Sequence, residues 1–161
     1  NLSLALRTAL DGTYGVVLCF ANKVMRAEGL VKHASSEADA FRSVPQSPLS
    51  PPARRRFCLQ RVGIITLSPA LPAAAVKAML NELDAAVLRI FGSGTVMDDP
   101  ALISVIGDAV KRGTRIRAVS QCETGGLAPG SYAAGSALWK TGLENGGSET
   151  AEAALVHLWL N

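Results

Sequence analysis

The sequence predicts an α/β fold: a small parallel sheet with helices on both faces. Three observations carry this. From residue 62 onward, short apolar β-branched runs alternate with helical patterns of 10 or so residues, joined by short connections. The first of these runs, Val62-Gly63-Ile64-Ile65-Thr66-Leu67, is apolar almost throughout, as a strand covered on both faces must be. The helical segments carry their own start and stop residues, so the alternation is punctuated as well as periodic.

In chain order, Leu2, Leu4, Leu6 and Leu10 with Ala5 and Ala9 give an amphipathic helix, stopped by Asp11-Gly12. Val16 to Phe20 is a short apolar strand, Ala21-Asn22-Lys23 a turn, and Val24 to Val31 a returning strand, which together predict a hairpin. Residues 43 to 56 carry Pro45, Pro48, Pro51 and Pro52 and end in Arg54-Arg55-Arg56. Proline fixes φ and removes a backbone donor, so this stretch reads as a linker.

The strand at Val62 comes next, then a helix that starts at Pro72, where a first turn tolerates proline, and runs to about Leu83. Ala86 to Phe91 is a strand feeding the glycine turn Gly92-Ser93-Gly94-Thr95. Asp98-Asp99 before Pro100 starts a helix that Lys111-Arg112-Gly113 ends. Arg115 to Ser120 is a third strand, leading into Gln121-Cys122 and a glycine-rich loop. Tyr132 to Thr141 and Thr150 to Leu160 are helices, the second capped by Thr150 with Glu152 near its positive end. The division is therefore 1–42, a helix and hairpin that leave apolar faces uncovered; 43–61, a Pro/Ser/Arg-rich linker; and 62–161, a complete α/β domain.

Composition limits the function classes. The 161 residues are 48% hydrophobic and 18% charged, a composition that supports a packed core. A net charge of +3, with one arginine cluster and no interleaved aromatics, gives nucleic acid no platform. No apolar run is long enough to cross a bilayer, and no signal peptide is visible. Cys19, Cys58 and Cys122 have no metal spacing and read as free thiols of a reducing, cytoplasmic compartment. His33 and His157 lack supporting carboxylates for a metal, and Gly92-Ser93-Gly94 lacks the rest of a dinucleotide fingerprint, so no cofactor is expected. The chain enters a helical pattern directly at Asn1, which reads as a fragment or a processed product.

The order of elements from Arg89 onward, with Ser120-Gln121-Cys122, Gly130-Ser131-Tyr132-Ala133-Ala134-Gly135 and Thr150-Ala151-Glu152-Ala153-Ala154-Leu155, resembles the C-terminal domain of bacterial-type L-asparaginases, most closely the cytoplasmic type I branch. The resemblance implies a flavodoxin/Rossmann-like C-terminal domain, and makes residues 1–42 the remnant of the family's larger N-terminal domain. Gly29-Leu30-Val31-Lys32-His33-Ala34 resembles the family segment whose lysine helps activate a threonine nucleophile, so by position Lys32 is the catalytic candidate. Val31 stands where the family has threonine. Arg89, Thr95 and Cys122 match by position the residues of the type I regulatory asparagine site, with Thr95 where the family usually has asparagine. Read from the residues alone, the plainer readings lead: Lys32 as an exposed lysine at a strand end, Arg89 as a strand-end salt bridge and Cys122 as a small buried apolar residue.

Neither family threonine motif occurs here. Thr124-Gly125-Gly126-Leu127 is a superficial match, but it follows the third strand of the C-terminal domain rather than an opening strand. The expectation is thus part of an enzyme converting L-asparagine and water to L-aspartate and ammonia, without the nucleophile-bearing segment and inactive alone. Its expected partners are the amino-acid substrate and either copies of itself or a chain carrying the missing segment. The alternative is a non-catalytic truncated homologue that binds an amino acid or a protein partner.

Overall fold

A computed structural model describes residues 1–44, 46, 59–130 and 135–160. The chain forms two compact units, Asn1–Gln46 and Ser47–Asn161. Most of the proline-rich stretch, including Arg54-Arg55-Arg56 and Cys58, lies outside the described residues.

In the first unit, helix α1 (Leu2–Leu10) precedes strands β1 (Val17–Phe20) and β2 (Lys23–Arg26), which pair antiparallel with Phe20 opposite Lys23. The connecting residues Ala21 and Asn22 both have positive φ, at 47° and 60°. That is the turn hand which matches the twist of a two-residue hairpin. The predicted return strand over 24–31 is, however, broken after Arg26. A 3₁₀ turn over Ala27–Gly29 redirects the chain into β3 (Leu30–Lys32), which pairs antiparallel with β4 (Phe41–Ser43). Gly29 explains the break: a Cβ there would lie 1.8 Å from the Val44 carbonyl oxygen, so the backbone crosses directly over it. The Phe20 and Phe41 rings meet edge to face at 5.1 Å, packing the hairpin against β4.

The second unit contains β5 (Val62–Thr66), α2 (Ala73–Glu82), β6 (Ala85–Ile90), α3 (Pro100–Lys111), β7 (Arg115–Ser120), α4 (Ser136–Trp139), β8 (Glu144–Asn145) and α5 (Ala151–Leu160). The four strands form one parallel sheet in the order β5-β6-β7-β8. With strands laid down sequentially, right-handed crossovers place α2, α3 and α4 on one face and leave the other to α5. The packing agrees. Ile65, Leu88, Ile90 and Ile116 join Leu80 and Leu102 in the larger core, while Val87 and Val119 meet Ala154 and Leu158 of α5 in the smaller one. Alternate residues of β6 therefore serve opposite faces, and both are fully enclosed.

Local chemistry fixes the element ends. Asp99 Oδ1 accepts the Ala101 N–H at 2.9 Å, with Pro100 in the first turn of α3. Thr150 Oγ1 accepts the Ala153 N–H at 3.1 Å and caps α5. At the opposite edge of the sheet, Asp84 accepts the Arg61 N–H at 2.9 Å and the Arg61 guanidinium at 2.8 Å. These bonds, the guanidinium first, hold the Asp84 carboxyl down at about 2. Of the helix expected over 132–141, the described part is α4; residues 131–134 lie outside the description.

Among the described residues, no helix is long and apolar enough to cross a membrane.

Candidate functional site

In a parallel sheet the strand ends that release loops all point the same way, and ligands settle beyond the carboxyl ends of the strands. Three of the four candidate residues come together there. Arg89 is the penultimate residue of β6, paired with Thr66 and Val119 of its neighbours. Its carbonyl accepts the Leu67 N–H at 3.1 Å and Gln121 Nε2 at 3.0 Å. The Gln121 amide also donates to the Leu67 carbonyl at 2.7 Å, so one side chain ties the ends of β5, β6 and β7 together.

The Arg89 side chain is half-buried, and its Nε–H is shut away from water with no acceptor among the described residues. A buried donor left unmade costs roughly 1–3 kcal/mol, more for a charged group, so this position favours an acceptor.

Thr95 closes the turn that follows β6. Its backbone exchanges hydrogen bonds with Phe91, at 2.9 Å from the Phe91 N–H and 3.1 Å to the Phe91 carbonyl. Cys122 is an exposed free thiol two residues past β7. The Ser120 hydroxyl joins these segments, donating to the Gly92 carbonyl at 2.6 Å and accepting the Cys122 N–H at 3.0 Å.

The glycine loop after Cys122 is seated equally closely. Leu127 N–H donates to the Gly147 carbonyl at 2.9 Å, and Ala128 N–H to the Ser93 carbonyl at 2.8 Å. Gly126 has φ of +64°, and a Cβ there would lie 2.8 Å from the Gly147 carbonyl oxygen, so only glycine fits.

Lys32 belongs to the first unit. It is exposed at the end of β3, and its Nζ lies 5.9 Å from the centroid of the Phe41 ring. A groove of about 530 Å³ in the same unit, lined by Asn1, Leu2, Thr8, Val17 and Cys19 among others, holds none of the candidate residues. The Thr8 hydroxyl in its wall donates to the Leu4 carbonyl at 2.9 Å and is committed to the helix. The hydroxyls of Ser43 and Thr141 likewise donate to backbone carbonyls. Thr124 is exposed in the glycine loop. No group of three or more metal-ligating side chains occurs among the described residues.

Sequence reasoning missed an ion network on the α5 face of the sheet. Arg117, in the middle of β7, forks onto Glu149 with Nε to Oε2 at 2.6 Å and Nη2 to Oε1 at 2.8 Å. Its Nη1 reaches Glu144 at 3.0 Å, and Arg115 Nε donates to the same carboxylate at 2.8 Å. His157 Nδ1 lies 3.3 Å from Glu149. The hydrogen bonds that Arg117 donates to Glu149 raise the Arg117 pKa, against burial, which lowers it. Burial pushes the Glu144 carboxyl up, but Arg115 and then Arg117 outweigh it and hold it below its ordinary value. The signal was present in Arg115-Ile116-Arg117-Ala118, where two charges fall on one face of an otherwise enclosed strand.

As chemistry, the edge site offers a guanidinium with a free donor and a wall of ordered backbone. That suits a small ligand bearing a carboxylate.

Residues 61–161 match the family described as Glutaminase/Asparaginase C-terminal domain, and residues 1–60 match Asparaginase, N-terminal. L-asparaginase 1 of Escherichia coli (strain K12) is 29% identical over 163 residues, which cover 89% of this chain and 48% of that protein. The 60 kDa lysophospholipase of Homo sapiens is 34% identical over 137 residues, covering 84% of this chain and 20% of that protein. The thermostable L-asparaginase from Thermococcus kodakarensis superposes with a TM-score of 0.85 at 24% identity, over 99% of this chain and 54% of that structure. The chain therefore spans about half the length of the L-asparaginase 1 it matches, and less of the lysophospholipase.

Proposed function

The chain belongs to the glutaminase/asparaginase family, and on that premise we propose that it is part of an L-asparagine amidohydrolase, converting L-asparagine and water to L-aspartate and ammonia. Residues 1–42 would be the end of the N-terminal domain, 43–61 the linker and 62–161 the C-terminal domain. A threonine hydroxyl supplied from outside these residues attacks the side-chain amide carbon, and ammonia leaves. Water then cleaves the resulting ester to release aspartate. Lys32 takes the family lysine's role, favouring loss of the threonine proton once both are enclosed together.

The supporting observation is that Arg89, Thr95 and Cys122 all lie at the carboxyl ends of β6 and β7, where the Ser120 hydroxyl bonds the Gly92 carbonyl and the Cys122 N–H. On this reading they form a regulatory asparagine site, with the half-buried Arg89 guanidinium taking the ligand carboxylate. The exposed stripe of Leu2, Leu6 and Leu10 on α1 fits a partner chain, either another copy or one bearing the threonine motifs.

An asparagine hydrolysis assay tests the proposal. The chain alone should release no ammonia, and adding a chain with the opening strand and both threonine motifs should restore turnover. Release of ammonia by the 161 residues alone would overturn the assignment of the nucleophile. Asparagine binding without turnover, even with the complementing chain, would favour the non-catalytic homologue instead.

A further inference from the structure

The edge site is made of loops, and a chain of short bonds leads from them to one buried ion pair. The turn bearing Thr95 is tied to the glycine loop by Ala128 N–H on Ser93 O at 2.8 Å. That loop is tied to the segment before α5 by Leu127 N–H on Gly147 O at 2.9 Å. The latter segment rests on β7 through Gly146 N–H on Ala118 O at 2.9 Å and closes through Glu149 N–H on Gly146 O at 3.0 Å. Its last residue, Glu149, takes the two-pronged fork of Arg117.

The side chains of Arg117 and Glu149 are only 13% and 16% exposed, on the sheet face where Val87 and Val119 pack against α5. An apolar pair would fill that space without the desolvation cost of two ions. What the ions add is direction, because a planar guanidinium fork fixes a carboxylate in both distance and angle.

We infer that the Arg117–Glu149 fork is the positioning element of the edge site: it locks the 146–149 turn, and through Gly147, Leu127 and Ser93 sets the loops that carry Cys122 and Thr95. Glu144 backs it, holding Arg117 from the other side at 3.0 Å. Its effect on ligand affinity rests on the amino-acid site proposed above; its effect on loop order does not.

Amide hydrogen exchange on the 161-residue chain tests this with Glu149→Gln, which preserves volume and removes one charge. Exchange at the Leu127 and Ala128 amides should accelerate by about tenfold or more, with the β6 and β7 amides unchanged. Arg117→Lys keeps the charge but loses the fork, and should give the same loop signature. Unchanged exchange at Leu127 and Ala128 in Glu149→Gln would overturn the inference. So would equal acceleration throughout β6 and β7, which would mark general destabilisation, or wild-type exchange in Arg117→Lys.

Calorimetry with L-asparagine is the second arm, and Glu149→Gln should bind about five- to tenfold more weakly than wild type. If wild type binds no asparagine, the amino-acid site is wrong and the exchange data alone decide the positioning role.

Discussion

Arg89 should govern how tightly the site holds a carboxylate. Among the described residues its Nε–H is a buried donor without a partner, and its backbone is fixed on either side by β5 and β7. Arg89→Ala should weaken L-asparagine binding by more than about tenfold, since a charge-assisted hydrogen bond is worth roughly 1.5–3 kcal/mol. Arg89→Lys should recover only part of the loss, because an ammonium supplies charge but not a fork. Calorimetry on both variants checks the order, and a wild-type dissociation constant in Arg89→Ala would remove Arg89 from the site. Lys32 illustrates the opposite situation. It is exposed beside Phe41, and a base of the expected kind needs the enclosure that a threonine-bearing partner would bring.

At the scale of elements, enclosure on both faces makes β6 sensitive. Leu88 is fully buried in the core it shares with Leu80 of α2 and Leu102 of α3, so Leu88→Ala should cost about 2–5 kcal/mol, read as a lower urea midpoint at unchanged slope. A loss below about 1 kcal/mol would mean that the site collapses around the smaller side chain. The same enclosure made the second unit legible. β6, covered on both faces, is written as an apolar run, and Asp99-Pro100 and Thr150 mark helix starts by chemistry local to the chain. Arg115–Ser120 is therefore found as expected, and β6 lies within one residue of its expected bounds. β5, expected to be covered in the same way, is instead the edge strand and leaves Ile64 42% exposed.

The parts that escaped depend on distant neighbours. β8 is two residues long and exists because it pairs with Arg117 and Ala118, a length too short to carry a period. β4 is three residues, and the break before β3 follows from Val44 crossing Gly29. For the site, Arg89, Thr95 and Cys122 were reached through a resemblance in sequence order. The Arg117–Glu149 fork was not reached, since its partners are 32 residues apart and neither belongs to a motif.

Acid is where the whole molecule should respond together. At neutral pH the formal net charge is only +3, with 16 lysines and arginines against 13 carboxylates, so protonating carboxylates leaves cations increasingly unopposed. Glu144 has a folded pKa below its ordinary value. Its contribution is therefore complete above the usual glutamate range, around pH 4–5, and is lost as pH falls through the folded value. Arg117 is shifted upward, so its contribution is complete throughout the acid range and adds no slope there. Asp84 follows Glu144 in sign, down to about 2, but its exposed pair with Arg61 is screened and should add little. The urea midpoint should accordingly be level from pH 7 to about pH 5 and then fall toward pH 3. Glu144→Gln, which has no proton to gain at that position, should start lower at pH 7 and fall less steeply. Parallel curves for the two proteins would assign the acid response to net charge alone, and a midpoint rising below pH 5 would reverse the sign argued for Glu144.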